Sequence, residues 1–321
     1  MAGHADKRAG GVKAIMAAMF ANLGIAIMKL IAWLFTGAAS LLAEAIHSIA
    51  DTTNQVLMLV GDKTAEKKAD ATHQFGYGRY RFLTAFLVAL ILFSMGGLFA
   101  IYEAFHKFEE LMAGHPNELL QSQWWWVAIV VLGGAIIMEC FSFRVALRES
   151  APHRKGMSLW RFVRESKEPE FLVVILEDLA ALLGLVFAFV GIGLALLTGN
   201  AIFDVAASGL IGVLLIVVAV ILAIETKSLL VGESADEKTM AGIVERLEAV
   251  EQFQHVLYVK TLYLGPEELL VAAKVTVADD LDAEAVAQAI DDAEKSIREA
   301  YPVVGPIYLE PDTWKPAELE A

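Results

Sequence analysis

Long apolar runs separated by short polar segments organise the first two thirds of the chain. Six of them, at roughly 12–35, 40–61, 82–105, 124–147, 171–197 and 202–226, are long enough to cross a bilayer as helices, since about 30 Å of hydrocarbon takes about 20 mostly apolar helical residues. From about residue 233 the pattern changes. Apolar positions alternate in HVLYVKTLYL (255–264) and LLVAAKVTV (269–277), the period of strands with one buried face. The pattern there predicts helix 236–249, strand 254–264, a turn at Gly265 and Pro266, strand 268–277, helix 282–299 and a short strand 305–309. The expected architecture is a membrane-embedded all-α domain of six helices over 1–232, followed by a soluble α/β domain over 233–321 with the order αββαβ.

Composition agrees with this division. Hydrophobic residues make up 57% of the 321 positions and the mean hydropathy is +0.57, above the range of water-soluble domains. The chain carries a net charge of −14, and residues 233–321 hold 20 Asp and Glu against 7 Lys and Arg, a balance of −13. Such acidity argues against nucleic acid or anionic lipid as a partner of that domain. The single cysteine, Cys140, excludes a disulfide framework or a cysteine-based metal site within one chain.

Lys and Arg cluster in alternate loops: Lys7, Arg8 and Lys13 before the first run, five residues between Lys63 and Arg81, and seven from Arg144 to Lys167, with Lys107 alone on the opposite side. The bias places both termini in the cytoplasm. The first run reads as an uncleaved insertion signal, and Trp124, Trp125 and Trp126 fall where indoles prefer the outer interface. Short loops, and a start without a Ser- and Arg-rich leader, point to a bacterial inner membrane.

The runs are not purely apolar. The second contains Glu44, His47 and Asp51, and the fifth contains Glu177 and Asp178. Each such group costs about 2.5–3.5 kcal/mol to insert, so it normally faces a protein interior and serves a pathway or a pairing. His47 and Asp51, four residues apart, share a helix face at about 6 Å along the axis. Asp51 falls about 14 Å and Asp178 about 10 Å from the inner membrane face. An imidazole and carboxylates at similar depth, without thiolate, suit zinc, with manganese, iron or cobalt also admissible. The competing interpretation is a set of hydrogen-bonded charges that only hold helices together. Lys29 and Glu44 are expected either to pair between the first two helices or to snorkel, Glu139 to pair with Arg144 or Arg148, and Asp204 to cap the sixth helix. Asn54 and Gln55, further along the second helix on its cytoplasmic side, are expected to make capping or helix-packing hydrogen bonds, with lining of the entry as the alternative.

At these residues the sequence resembles the cation diffusion facilitators, proton-coupled exporters of divalent metals. The resemblance runs through GAASLLAEAIHSIAD (37–51), HQFGYGR (73–79), EDLAALLG (177–184), TGNAIFD (198–204) and LLVGES (229–234), and it is closest to the divergent branch typified by the ninth animal zinc transporter. It implies a transport site with two ligands from the second helix and two from the fifth, the latter spaced four apart. His47, Asp51 and Asp178 match that pattern. Val174 stands where the fourth ligand is expected, leaving Glu177, about 100° around the helix from Asp178, or water to complete the shell. Asp70 and His73 match part of a second metal site of some relatives, with Tyr77 where a further His would complete it. The resemblance also implies a ferredoxin-like cytoplasmic domain that dimerises the protein.

Together these readings describe a proton-coupled antiporter that exports a divalent cation, Zn2+ first, by alternating access. Ligating His must be neutral and carboxylates ionised, so metal binding expels protons and protonation expels metal. No prosthetic group is expected; the cargo ions are the metal and H+. An intramembrane hydrolase would want an H-E-x-x-H pair or an activated nucleophile, and neither accompanies these acids. A metal-binding membrane scaffold without transport is the other alternative.

Overall fold

The computed structural model describes residues 22–115, 117–154 and 156–312. It divides into two compact units. One comprises the described residues up to Asp62 together with Leu83–Thr226; the other comprises Lys63–Phe82 and the described residues from Lys227 onward. The loop after the second apolar run thus groups with the C-terminal residues.

The first unit is helical. Its long helices are α1 (Asn22–Thr36), α2 (Ala39–Ala65), α3 (Tyr80–Met112), α4 (Trp125–Arg154), α5 (Pro169–Thr198) and α6 (Ile202–Val231), with two short ones, Glu118–Gln121 and Leu159–Glu165, between them. Among the described residues, α3, α4, α5 and α6 are long and apolar enough to cross a membrane. Helix α1 is the described part of the first apolar run, whose residues 12–21 lie outside the described residues. Helix α2 has 27 residues, but Glu44, Asp51, Asp62 and Lys63 interrupt its apolar character.

Local chemistry sets the ends of these helices. Gly37 and Gly199 take the left-handed backbone conformation, φ 66° and 67°, which a Cβ would disfavour. Each lets the chain reverse within a few residues, from α1 to α2 and from α5 to α6. Pro169 opens α5, where its missing N–H costs nothing. Helix α3 contains a π-helical stretch, Leu92–Leu98, with Gly96 and Gly97 facing α6. A Cβ on Gly97 would stand 3.1 Å from the Ile216 backbone nitrogen. Small residues therefore let these two backbones approach closely, as in many membrane helix pairs.

The second unit contains β1 (Phe253–Gly265), β2 (Glu268–Val277), α7 (Glu237–Glu248), α8 (Ala283–Ala300) and β3 (Val304–Asp312). The sheet order is β1-β2-β3. Strands β1 and β2 pair antiparallel with Val259 opposite Ala273, and β2 and β3 pair parallel with Ala273 opposite Leu309. The expected element order is observed. Asp236 and Asp282 cap α7 and α8, accepting the backbone N–H groups of Thr239 and Ala285 at 3.0 and 2.8 Å; side-chain oxygens at these positions satisfy otherwise orphaned donors. The β1–β2 turn packs against the HQFGYGR loop through two glycines: a Cβ on Gly78 would meet the Leu264 carbonyl oxygen at 2.8 Å.

Candidate metal centre

Helix α2 supplies one polar stripe. His47, Asp51 and Asn54 recur at intervals of four and three, so they lie on one face. His47 and Asn54 are fully buried, and the Asp51 side chain is 16% exposed. The His47 Nδ1 lies 3.4 Å from Asp51 Oδ1. Neither ring nitrogen of His47 makes a hydrogen bond, nor do Asp51 Oδ1, Asn54 Oδ1 or Gln55 Oε1, all buried. Unpaired buried polar atoms in an apolar helix bundle are costly, and the acceptors among them, one imidazole nitrogen and the side-chain oxygens, are chemically able to bind a cation.

Helix α5 presents its two acids to different neighbours. Asn54 donates from Nδ2 to Glu177 Oε1 at 2.6 Å, joining α5 to the α2 stripe. The Ser142 hydroxyl of α4 donates to Asp178 Oδ2 at 3.2 Å. Adjacent residues on a helix differ by about 100°, so one carboxylate reaches α2 and the other α4. Val174, one turn before Asp178, is 40% exposed. Among the described residues, no group of three or more His, Cys, Asp or Glu is placed to hold one ion. Glu177 thus meets the α2 stripe through Asn54, while Asp178 sits beside Ser142.

The other buried charges resolve individually. Lys29 Nζ donates to Glu44 Oε2 at 2.9 Å and to Ser48 Oγ at 2.8 Å, the expected pair between α1 and α2, here with a hydroxyl added. Glu44 Oε1 is buried without a partner and occupies space on α5 that exists because Gly184 has no Cβ. Asp204 departs from expectation. It does not cap its own helix; it accepts the backbone N–H groups of Ala39 and Ser40 at 2.8 and 3.3 Å, and the Ser40 hydroxyl as well. It thereby caps α2, whose first N–H groups lack helical partners and carry the positive end of the dipole. Asn200 serves α6 instead, accepting from the Ile202 N–H at 3.0 Å. Glu139 makes no ion pair with Arg144 or Arg148 among the described residues; positions five and nine further along lie about 140° and 180° around the helix.

In the loop of the second unit, Asp70 Oδ1 accepts the N–H groups of Thr72 and His73 at 2.8 and 2.7 Å, and the Tyr77 hydroxyl donates to Asp70 Oδ2 at 2.6 Å. Tyr77 packs against His73 with ring centroids 4.3 Å apart. The Tyr77 hydrogen bond, supported by the backbone donors, holds the Asp70 carboxyl down at about 2, and the same bond raises the Tyr77 hydroxyl. Tyr77 thus occupies Asp70 in an arrangement that shapes the loop.

The helix-packing hydrogen bond expected of Asn54 is observed, but its partner Glu177 is not foreseen, and neither is the contact of Ser142 with Asp178. The first had a signal, since Asn54 falls seven residues after His47 and so on its face; the second depended on the rotation of α4, which no local pattern encodes.

Residues 15–231 match the cation efflux transmembrane domain. The proton-coupled zinc antiporter SLC30A9, mitochondrial, of Homo sapiens is 30% identical over 306 residues, covering 94% of this chain and 52% of that protein. Metal tolerance protein C4 of Arabidopsis thaliana is 26% identical over 265 residues, 82% of this chain and 56% of that protein. The chain therefore spans about half the length of these curated relatives. A solved MamM CTD in a nickel form matches 25% of this chain and all of its own at 14% identity and a TM-score of 0.24, too slight a likeness to carry an argument.

Proposed function

The chain belongs to the cation efflux family, and on that premise we propose that it is a proton-coupled antiporter exporting a divalent metal cation, with Zn2+ the favoured cargo. The observation that carries the reading is the buried α2 stripe of His47 and Asp51, with unpaired donor atoms, beside Glu177 of α5. Nitrogen and oxygen donors of this kind suit zinc, and they leave Mn2+, Fe2+ or Co2+ as the alternative cargo. His47 and Asp51 of α2 are the primary ligands, and Glu177 or Asp178 of α5 closes on the ion as that helix moves during alternating access, because among the described residues no three such groups already stand together. Six spans, α1 to α6, carry the site, with both termini cytoplasmic; the Lys and Arg distribution and the short loops support a bacterial inner membrane, while the human relative is named mitochondrial.

The C-terminal unit is ferredoxin-like and pairs with a second copy, for which the exposed Tyr258 of β1 and Tyr308 of β3 offer apolar contact. Metal and protons exchange through the same side chains: a ligating imidazole must be neutral and a ligating carboxylate ionised, so loading releases protons and reprotonation releases the ion. Zn2+ accumulation by proteoliposomes tests the reading. The parent protein is expected to accumulate Zn2+, and His47→Ala and Asp51→Ala to lose accumulation while folding normally. A membrane scaffold would accumulate none, and accumulation retained by Asp51→Ala would refute the assignment.

A further inference from the structure

The polar stripe of α2 does not stop at His47. Glu44 precedes His47 by three residues and Asp51 by seven, which carries the same face one turn further outward, about 4.5 Å along the axis. A divalent cation held at His47 and Asp51 would therefore feel another buried carboxylate, but that carboxylate is already engaged. Lys29 of α1 donates to Glu44 Oε2 and to the hydroxyl of Ser48, the residue beside His47. We propose that Lys29 is a built-in counter-charge of the transport site: its ammonium cancels the pull of Glu44 on the ion and so keeps the site's hold loose enough for release. This rests on the transport reading given above and adds to it a positioning residue that sets affinity.

Three observations converge. Glu44 and Ser48 are one turn apart and bracket His47 in the chain, so the ammonium that bonds to both lies over the turn that carries the imidazole. Lys29 and Glu44 are 2% and 0% exposed, and charges so far from water act on their neighbours with little screening. The Lys29 charge is accordingly felt at both His47 and Asp51. Finally, the pair is a poor device for merely joining α1 to α2. Glu44 Oε1 is buried without a hydrogen-bond partner, and two apolar side chains of similar volume would hold the helices at least as well.

The signs of the expected effects follow from charge alone. A unit charge about 10 Å from a divalent ion in the protein interior changes its binding by well over tenfold. Neutralising Glu44 leaves the ammonium to repel the ion, removing the ammonium leaves the carboxylate to attract it, and removing both cancels. A pair that only packs helices gives no such alternation of sign.

The test is calorimetric titration of the full-length protein in detergent with ZnCl2, alongside thermal unfolding. Glu44→Gln, which keeps the size of the side chain and an oxygen for Lys29, is expected to weaken Zn2+ binding at least tenfold. Adding Lys29→Met to it is expected to restore affinity to within about threefold of the parent, and Lys29→Met alone to tighten binding at least tenfold. The comparison of Glu44→Gln with the double variant decides the matter even where Lys29→Met alone does not fold. Zn2+ affinity unchanged in Glu44→Gln, or a loss there that Lys29→Met does not restore, would overturn the inference and leave the pair a helix clamp. A parent protein that binds no Zn2+, or an Asp51→Ala protein that binds it undiminished, would instead overturn the transport site and this inference with it.

Discussion

The buried pair of Lys29 and Glu44 offers a sharp energetic test. Both side chains are almost wholly inaccessible, and Lys29 also donates to Ser48. Lys29→Met keeps the length and apolar stem of the side chain but leaves a carboxylate in the helix bundle with Gly184 beside it and no counter-charge. Removing one member of a buried ion pair costs about 3–5 kcal/mol, because the survivor keeps its desolvation penalty without its partner. Replacing both with apolar side chains is often near neutral. Hydrogen bonds between neutral groups in membrane helices average only about 0.6 kcal/mol, so a large effect identifies charge rather than simple polarity. The assay is equilibrium unfolding in micelles of Lys29→Met, Glu44→Leu and the double variant. Each single change is expected to destabilise by about 3 kcal/mol or more, and the double variant by less than either. Single effects below about 1 kcal/mol that add in the double variant would refute the reasoning.

Further outcomes follow from the same geometry. Asp204→Ala, which strips three hydrogen bonds from the start of α2, is expected to cost at least about 2 kcal/mol, with Asp204→Asn milder; equal midpoints for parent and Asp204→Ala in thermal unfolding would contradict the cap. Val174→His is expected to leave Zn2+ affinity unchanged in a calorimetric titration, because position 174 faces outward; tenfold tighter binding would show that α5 is rotated in the metal-bound protein. Asp70 titrates at about 2, below its ordinary 3.8, through the Tyr77 hydrogen bond. A depressed acid contributes its stabilisation in full above the unfolded value near 4, and the contribution fades as pH falls through about 2. Tyr77→Phe should therefore move the Asp70 carboxyl upward in a carbon-13 NMR titration assigned with Asp70→Asn, and an unmoved carboxyl would remove Tyr77 as the cause.

Much of this arrangement was legible in the chain because it is local. The face shared by His47 and Asp51 follows from a spacing of four, and the Lys29–Glu44 pair from opposite charges in consecutive apolar runs. The alternation in 255–264 and 269–277 yields β1 and β2. What escaped depends on rotation and long-range packing. Glu177 and Asp178 are equivalent in composition, and only the phase of α5 decides that Glu177 meets Asn54. Asp204 sits in the first turn of α6, where self-capping is the local expectation, yet its oxygens meet α2 165 residues earlier. Glu139 carries no spacing that pairs it with an arginine on its own helix face.

The central claim is that a divalent cation and protons exchange at the His47–Asp51 stripe. Its most direct test is luminal pH in proteoliposomes loaded with a pH-sensitive dye after external ZnCl2 is added. The parent protein is predicted to raise luminal pH as Zn2+ enters and protons leave, and Asp51→Ala to give no change. A parent trace that stays flat while Zn2+ enters, or an Asp51→Ala trace that follows the parent, would contradict the account.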